Sequence, residues 1–332
     1  MKPLLLVAAL ALVSFTGCAK NLPAQLRVYV AVDRTAAEQV LAEFTRQTGI
    51  SIEPVFDTEA AKTAGLARRL ELERDKPWGD VWWSGESLYT ALLAQKGLFA
   101  DLAADTPQAA RKHGGAQWTG FSARLRVLAW HAKHWPEGMP EPTSLNDFLD
   151  PRLKGRCAMA KPVLGTTATH AAWLAGSEEG RALLRGAREN GLMLVISNSA
   201  VVRALAVGDA WLGLTDSDDA LILQKQYPGL RFVIPDQAEG ATGAVFTPAS
   251  AAIVKGCARP GPAARFVQWL ASRAGEDAMA KSAMRFMPIA SDAPVPEELP
   301  AKEGLRLARL DHTALARDWE STLAFVRELF EL

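Results

Sequence analysis

The stretch GLTDSDDALI, residues 213–222, places three carboxylates, Asp216, Asp218 and Asp219, within four positions directly after an apolar run. Two kinds of chemistry suit that spacing. If a helix starts here, Asp216 or Ser217 is its N-cap. Asp218 and Asp219 then occupy the first turn, where the backbone dipole favours negative charge by roughly 0.3–1 kcal/mol each. Capping accounts well for one or two acids. A third works against the others, because neighbouring like charges raise one another's pKa. A cation seated among them would relieve that repulsion. A hard metal ion with oxygen ligands meets the need, and so does the ammonium of a small zwitterion.

Few other residues offer chemistry. Trp82 and Trp83 stand in DVWWSGE, where strand alternation puts them on opposite faces. Core packing accounts for both rings, and a ring facing a cleft could instead hold an organic cation. His170, in GTTATH, reads as packed or solvated. The chain has no HExxH, GxSxG, Walker-type loop or dinucleotide fingerprint. No residue stands out as a nucleophile or general base, so the expectation is a protein that is not an enzyme and needs no cofactor, a metal ion entering only as ligand.

The elements that must carry these residues alternate. LRVYVAV (26–32) reads as a strand, followed by an amphipathic helix that stops at Gly49. ISIEPVF, DVWW, RLRVLAWH, CAMA, LMLVIS, AWLGL and LRFVI read as further strands, with helices at 167–175, 178–189, 200–206 and 218–226 among them. Alternation of this kind builds an α/β fold with a largely parallel sheet. The 332 residues suffice for two compact units, and the break falls near 120–135. Ligands favour the boundary between such units. With 37 basic and 37 acidic residues the chain is neutral, and nothing points to a nucleic-acid partner.

The beginning differs in kind. MKPLLLVAALALVSFTGCAK has Lys2, an apolar core, then small residues before Cys18. That pattern is a secretory signal over residues 1–18, and SFTGC resembles a lipobox, with Cys18 acylated after cleavage. The expected location is the periplasm or cell surface, with a lipid anchor to the membrane. Cys157 and Cys257 remain, either as a disulfide or as buried thiols.

Several segments together carry a resemblance. VYVAVDRTAAEQVLAEFTRQTGISIEPVF, GDVWWSGESLYTALLAQKGLFADL, GFSARLRVLAWH, SLNDFLDPRLKGRCAMAKPVLGTTATHAAWLAG and PASAAIVKGCARPGPAARFVQWLASRAGEDAMA follow the order and spacing of the substrate-binding proteins of bacterial ABC importers, within the ferric-iron-binding group. The resemblance covers almost all of the chain after the leader. It implies a two-lobe periplasmic binding protein fold, each lobe a mixed sheet flanked by helices, with the ligand cleft at the hinge. The implied lobes are discontinuous: 24–122 plus 248–287, and 123–247 plus 288–332. The implied partners are an ABC-type permease and its ATPase.

Departures from the family pattern bear on the ligand. The paired tyrosines that hold iron in that group fall here at Asp218 and Asp219, and none of Tyr29, Tyr89 and Tyr227 replaces them. The family's histidine ligand falls at Asp33 and its glutamate at Gly85, beside Glu86. The resemblance therefore implies a metal seat of Asp33, Glu86, Asp218 and Asp219, to which the acid cluster adds Asp216 and strand alternation adds Trp83 as further ligand-binding residues. The family's anion subsite falls at Gly165, Thr166, Thr167, Asn198 and Ser199. A helix opening at GTTATH supports that physically, since uncapped N–H groups and the dipole attract anions. The expected ligand is iron(III) or another metal ion, with or without an anion. The alternatives are a small organic phosphate, phosphonate or zwitterion bound for import, and a ligand sensor that signals to a membrane receptor.

Overall fold

The computed structural model describes residues 26–56, 62–102, 111 and 113–332. The leader with Cys18, and the expected start of the first lobe at residue 24, lie outside the described residues. The strands are β1 Leu26–Ala31, β2 Ile52–Phe56, β3 Val81–Ser84, β4 Thr119–His131, β5 Cys157–Ala160, β6 Met193–Val195, β7 Leu212–Asp216, β8 Leu230–Val233 and β9 Phe246–Ile253. They form a single sheet in the order β2-β1-β3-β9-β4-β7-β5-β6, with β8 also paired to β4.

Local chemistry explains the elements. β1 is buried at nearly every position, as a parallel strand covered on both faces must be. The helix Arg34–Thr48 begins where the Asp33 carboxylate accepts the Ala36 N–H, and ends on Gly49 at φ 74°, a conformation glycine adopts without strain. The helix Glu178–Glu189 is capped by Ser177, whose hydroxyl accepts the Gly180 N–H at 3.0 Å. Residues 260–281 form two helices, Pro260–Leu270 and Arg273–Lys281, because Ser272 caps a new start.

β4 ties the two halves of the sheet. Its first residues pair antiparallel with β9, and its last pair with β7 and β8. Between them lies a register shift from Phe121 to Ala123, with Ser122 at φ 34°. That left-handed backbone at a non-glycine residue is strained and marks the bend. A third segment meets β4 there, bridging Met287 to Ala123. The fully buried Glu276 carboxylate fastens the junction. It accepts the N–H groups of Ser122 at 2.6 Å, Ile289 at 2.9 Å and Ala290 at 3.1 Å.

Apolar clusters lie on both faces of each half. In the first half, Trp83, Phe44 and Phe266 cover one face and Trp82, Leu70 and Trp118 the other. Leu128, Met159 and Leu212 anchor one face of the second half, and Val201, Leu205 and Leu230 the other. The C-terminal helices His312–Arg317 and Trp319–Phe330 straddle the two, since Ala316 and Trp319 join the first half's core while Val326 and Phe330 join the second's. Cys157 is buried and free, and Cys257 is free and half-buried, so the disulfide alternative is not realised.

Candidate functional site

β7 ends on Asp216, which is also the N-cap of the helix Ser217–Gln224. Its carboxylate does no capping. It reaches across the sheet instead: Oδ1 lies 2.5 Å from Arg126 Nη1, while Oδ2 accepts from Thr166 Oγ1 at 2.6 Å and Asn198 Nδ2 at 2.7 Å. Arg126 lies opposite Asp216 in the β4–β7 register, which fixes this pairing. The same guanidinium donates to Asn198 Oδ1 at 3.1 Å, Thr166 Oγ1 at 3.3 Å and Thr167 Oγ1 at 3.3 Å. Arg126 and Asp216 are both fully buried.

Thr166 and Thr167 come from the helix Gly165–Ala175, and Asn198 begins the helix Asn198–Val207. The structure thus brings Thr166, Thr167 and Asn198 together with Asp216. It is Arg126, however, that fills the centre of the group. Gly165 opens its helix at φ 61° behind Leu164, whose side chain offers no cap. Ser199 lies beside the group, its hydroxyl 3.0 Å from that of Ser197.

Asp218 and Asp219 follow in the first turn. With Asp216 they can each offer one carboxylate oxygen, all within 4.8 Å of one another. Asp218 is buried, and its Oδ1 has no hydrogen-bond partner. Burial pushes Asp218 up to about 6, with Arg124 opposing and Asp216 reinforcing the shift. Burial, and then the charges of Asp218 and Asp216, hold Asp219 well above the usual carboxylate range.

Arg124 faces this group from β4. Its Nε lies 3.2 Å from Asp218 Oδ2 and its Nη1 3.9 Å from Asp216 Oδ2. Its guanidinium rests on the Phe286 ring, 4.7 Å from the centroid. Across the junction stands Gly85, where a Cβ would come within 3.3 Å of Arg124 Nη2. Glu86 follows, buried, with Oε2 accepting the Leu88 N–H at 2.7 Å at the start of the helix Leu88–Gln95. Burial pushes Glu86 up to about 7, against those N–H groups and the charge of Arg124. Thr169, 3.5 Å from Glu86, links the second half of the fold to the first at this point.

Three residues named from the sequence lie apart from this group. Trp83 does not border the cleft: it is fully buried on Phe266, with ring centroids 6.1 Å apart, because helices cover both faces of β3. Asp33 is an exposed helix cap and lies outside the three-carboxylate group. Glu86 lies outside it too, spending its carboxylate on helix N–H groups.

Sequence reasoning missed Arg124 and Arg126. Their signal was two arginines at i and i+2 in an apolar strand, which the period of two places on one face. His170, one turn beyond Thr166 and Thr167, is packed rather than solvated. Its ring is buried with neither nitrogen hydrogen-bonded, and burial and then Arg126 hold it well below the usual histidine range.

The sequence profile described as bacterial extracellular solute-binding protein matches residues 26–285. The chain is 27% identical over 270 residues to the major ferric iron-binding protein of Neisseria meningitidis serogroup A, covering 77% of this chain and 78% of that one. Its fold is similar to that of iron-bound HitA from Pseudomonas aeruginosa, with a TM-score of 0.79 at 24% identity over 92% of this chain and 99% of that one. It is also similar to AfuA from Actinobacillus pleuropneumoniae with fructose-6-phosphate bound, with a TM-score of 0.76 at 17% identity over 92% of this chain and 98% of that one.

Proposed function

The chain belongs to the bacterial extracellular solute-binding proteins, and from that premise we propose that it captures a metal ion, iron(III) first among the candidates, between two lobes and delivers it to an ABC-type permease and its ATPase. One observation carries the ligand class. Asp216, Asp218 and Asp219 converge within 4.8 Å, and a buried oxygen of Asp218 lacks any donor. Carboxylate oxygens of this kind suit a hard cation. Without the tyrosines of the ferric group, the seat is one of carboxylates alone. The metal here is cargo and takes part in no reaction.

The lobes we assign are 24–122 plus 248–287 and 123–247 plus 288–332. The division is supported by the bend at Ser122 and by the clamp of Glu276 across the crossing segments. Closure of such lobes around a ligand is a hinge motion. Among the described residues no helix is long and apolar enough to cross a membrane. The tether we assign is acylated Cys18, on the strength of SFTGC.

Arg124 favours a second reading. A guanidinium beside the acids suits a cargo with both a cationic and an anionic end, such as a small organic phosphate, phosphonate or zwitterion. Native mass spectrometry with elemental analysis, on protein beginning after the leader, separates the two. Excess mass equal to a metal ion, alone or with a small anion, supports the first. An organic mass without metal replaces it with the second.

A further inference from the structure

β1 runs from Leu26 to Ala31, and the Ala31 carbonyl accepts the N–H of Gly85, the residue that faces Arg124. At about 3.3 Å per residue, the strand therefore begins roughly 17 Å from the carboxylate end of the fold. Around that start, hydrogen bonds tie four segments together. The Asp80 N–H donates to the Arg27 carbonyl, the Val254 N–H to that of Asp80, and the Lys255 N–H to that of Leu98. Arg74 closes the series, its Nη2 donating to the Lys96 carbonyl at 3.1 Å.

These ties gather charge of one sign. Arg68, Arg74, Lys76, Lys96 and Lys255 are all exposed here. Between them lie two hollows of about 350 and 170 Å³ that share Arg74 and Leu98. The opposing acids are Glu71 and Asp75, and Glu71 is shared by Lys96 at 2.5 Å and Arg68 at 3.4 Å. Arg27 and Arg69 are balanced by Glu53 and Glu73. A positive excess remains, and Leu72 stands in it at the end of the helix Lys62–Leu72, 69% exposed.

We propose that this end of the first half is a membrane-contact face. It binds the anionic phospholipid headgroups of the surface to which the chain is tethered, and so holds the carboxylate end outward. The orientation rests on the reading of Cys18 as the acylated residue.

Reach and charge point to the same occupant. The chain from Cys18 to Leu26 spans at most about 29 Å even when fully extended, so the tether brings the start of β1 to the membrane first. Basic side chains are drawn to anionic headgroups over a distance on the order of 10 Å, and tethering raises the local concentration of those headgroups. Because the chain as a whole is neutral, the attraction belongs to this end and turns the molecule as well as holding it. Leu72 adds an apolar side chain that the headgroup layer covers. A small excess of charge makes the contact reversible, so the protein can leave it to meet a permease.

Vesicles of phosphatidylglycerol and phosphatidylcholine in equal parts, and of phosphatidylcholine alone, are the probes. Partitioning of protein that begins after the leader is read by sedimentation at low salt. The mixed vesicles are expected to bind about tenfold more strongly or better, and the difference should vanish in salt near 1 M. Each basic side chain contributes about fivefold, so Lys96→Gln with Lys255→Gln should bring the mixed vesicles to within about twofold of phosphatidylcholine. Arg68→Gln with Lys76→Gln should do the same, and carries the test if the first variant fails to fold. Equal partitioning onto both vesicles, or a preference that neither variant reduces, overturns the inference. So does displacement by inorganic phosphate at constant ionic strength, which would assign the hollows to the free ion. The mass of the intact protein from cells reads Cys18 separately. Acylated protein whose vesicle preference fails overturns the face and leaves the tether standing, while unacylated protein that shows the preference removes the tether and supports the face.

Discussion

Arg124 and Arg126 both point Nη1 at Asp216, at 3.9 Å and 2.5 Å, and that difference separates a charge that is placed from a charge that is bonded. The closer pair holds Thr166, Thr167 and Asn198 in one network and joins β4 to β7 and two helix starts. The looser one stands where cargo is expected.

Breaking the closer pair from one side should be severe. Arg126→Met leaves Asp216 buried and uncompensated, and should lower the unfolding free energy by about 3–5 kcal/mol. Pairing it with Asp216→Leu should recover part of the loss, since a buried ion pair replaced by apolar groups is often tolerated. Urea unfolding of the two variants measures both. A cost below about 1 kcal/mol for the single substitution would mean the pair is solvated in solution.

The acids that follow should govern the cargo. At metal concentrations about a hundredfold above Kd, the wild-type protein gains about 2.7 kcal/mol of stability, read as a raised melting temperature. Asp218→Asn with Asp219→Asn should lose that gain while melting cooperatively on its own. A metal-induced shift of unchanged size would return both residues to a capping role.

Acid should weaken the protein's grip on metal. Burial raises Glu86 from 4.5 to about 7 and Asp218 from 3.8 to about 6, so the folded chain holds protons that the unfolded chain has released. Their stabilising contribution is complete below the unfolded values and disappears as pH rises through the folded ones. A metal ion needs the carboxylates ionised, so its affinity should rise over the same interval, with protons released on binding near pH 6. Titration calorimetry in two buffers of different ionisation enthalpy counts those protons. Equal heats in both buffers would contradict the expectation.

The junction should depend on Glu276. Its carboxylate serves Ser122, Ile289 and Ala290, and Glu276→Gln trades one accepting oxygen for a donor among N–H groups. A loss of about 2–4 kcal/mol is expected from unfolding curves, the scale of one or two charge-assisted bonds removed in a buried place. If stability holds, small-angle scattering of the variant with and without metal would still report whether the junction had been loosened.

Much of the scaffold was readable because its residues obey simple periods. CAMA at 157–160 and the helix Glu178–Glu189 fall where alternation and Ser177 put them. β4 begins at Thr119, five residues before the arginine at which its pattern first becomes visible, because Gly120 and Ser122 break the alternation and earn their places at the bend. The acids were legible from their crowding, and the threonines from their helix start. Their counter-ions were not. Alternating RLRV looks like a strand with a wet face, and only the sheet order, which lays β7 beside β4, turns that face towards carboxylates. Trp83 misled for the related reason that alternation assigns sides without saying what covers them.

The interleaved strand order also sets a timetable. β3 and the first part of β4 both wait for β9 as a neighbour, and β9 ends at residue 253 of 332. On a ribosome adding about 5–20 residues per second, the 122 residues between His131 and Ile253 take roughly 6–24 s to appear. Through that interval two edges that the finished protein buries stand open to any passing strand. A nascent chain of this design therefore carries unpaired strand edges for longer than one whose neighbouring strands follow each other in sequence.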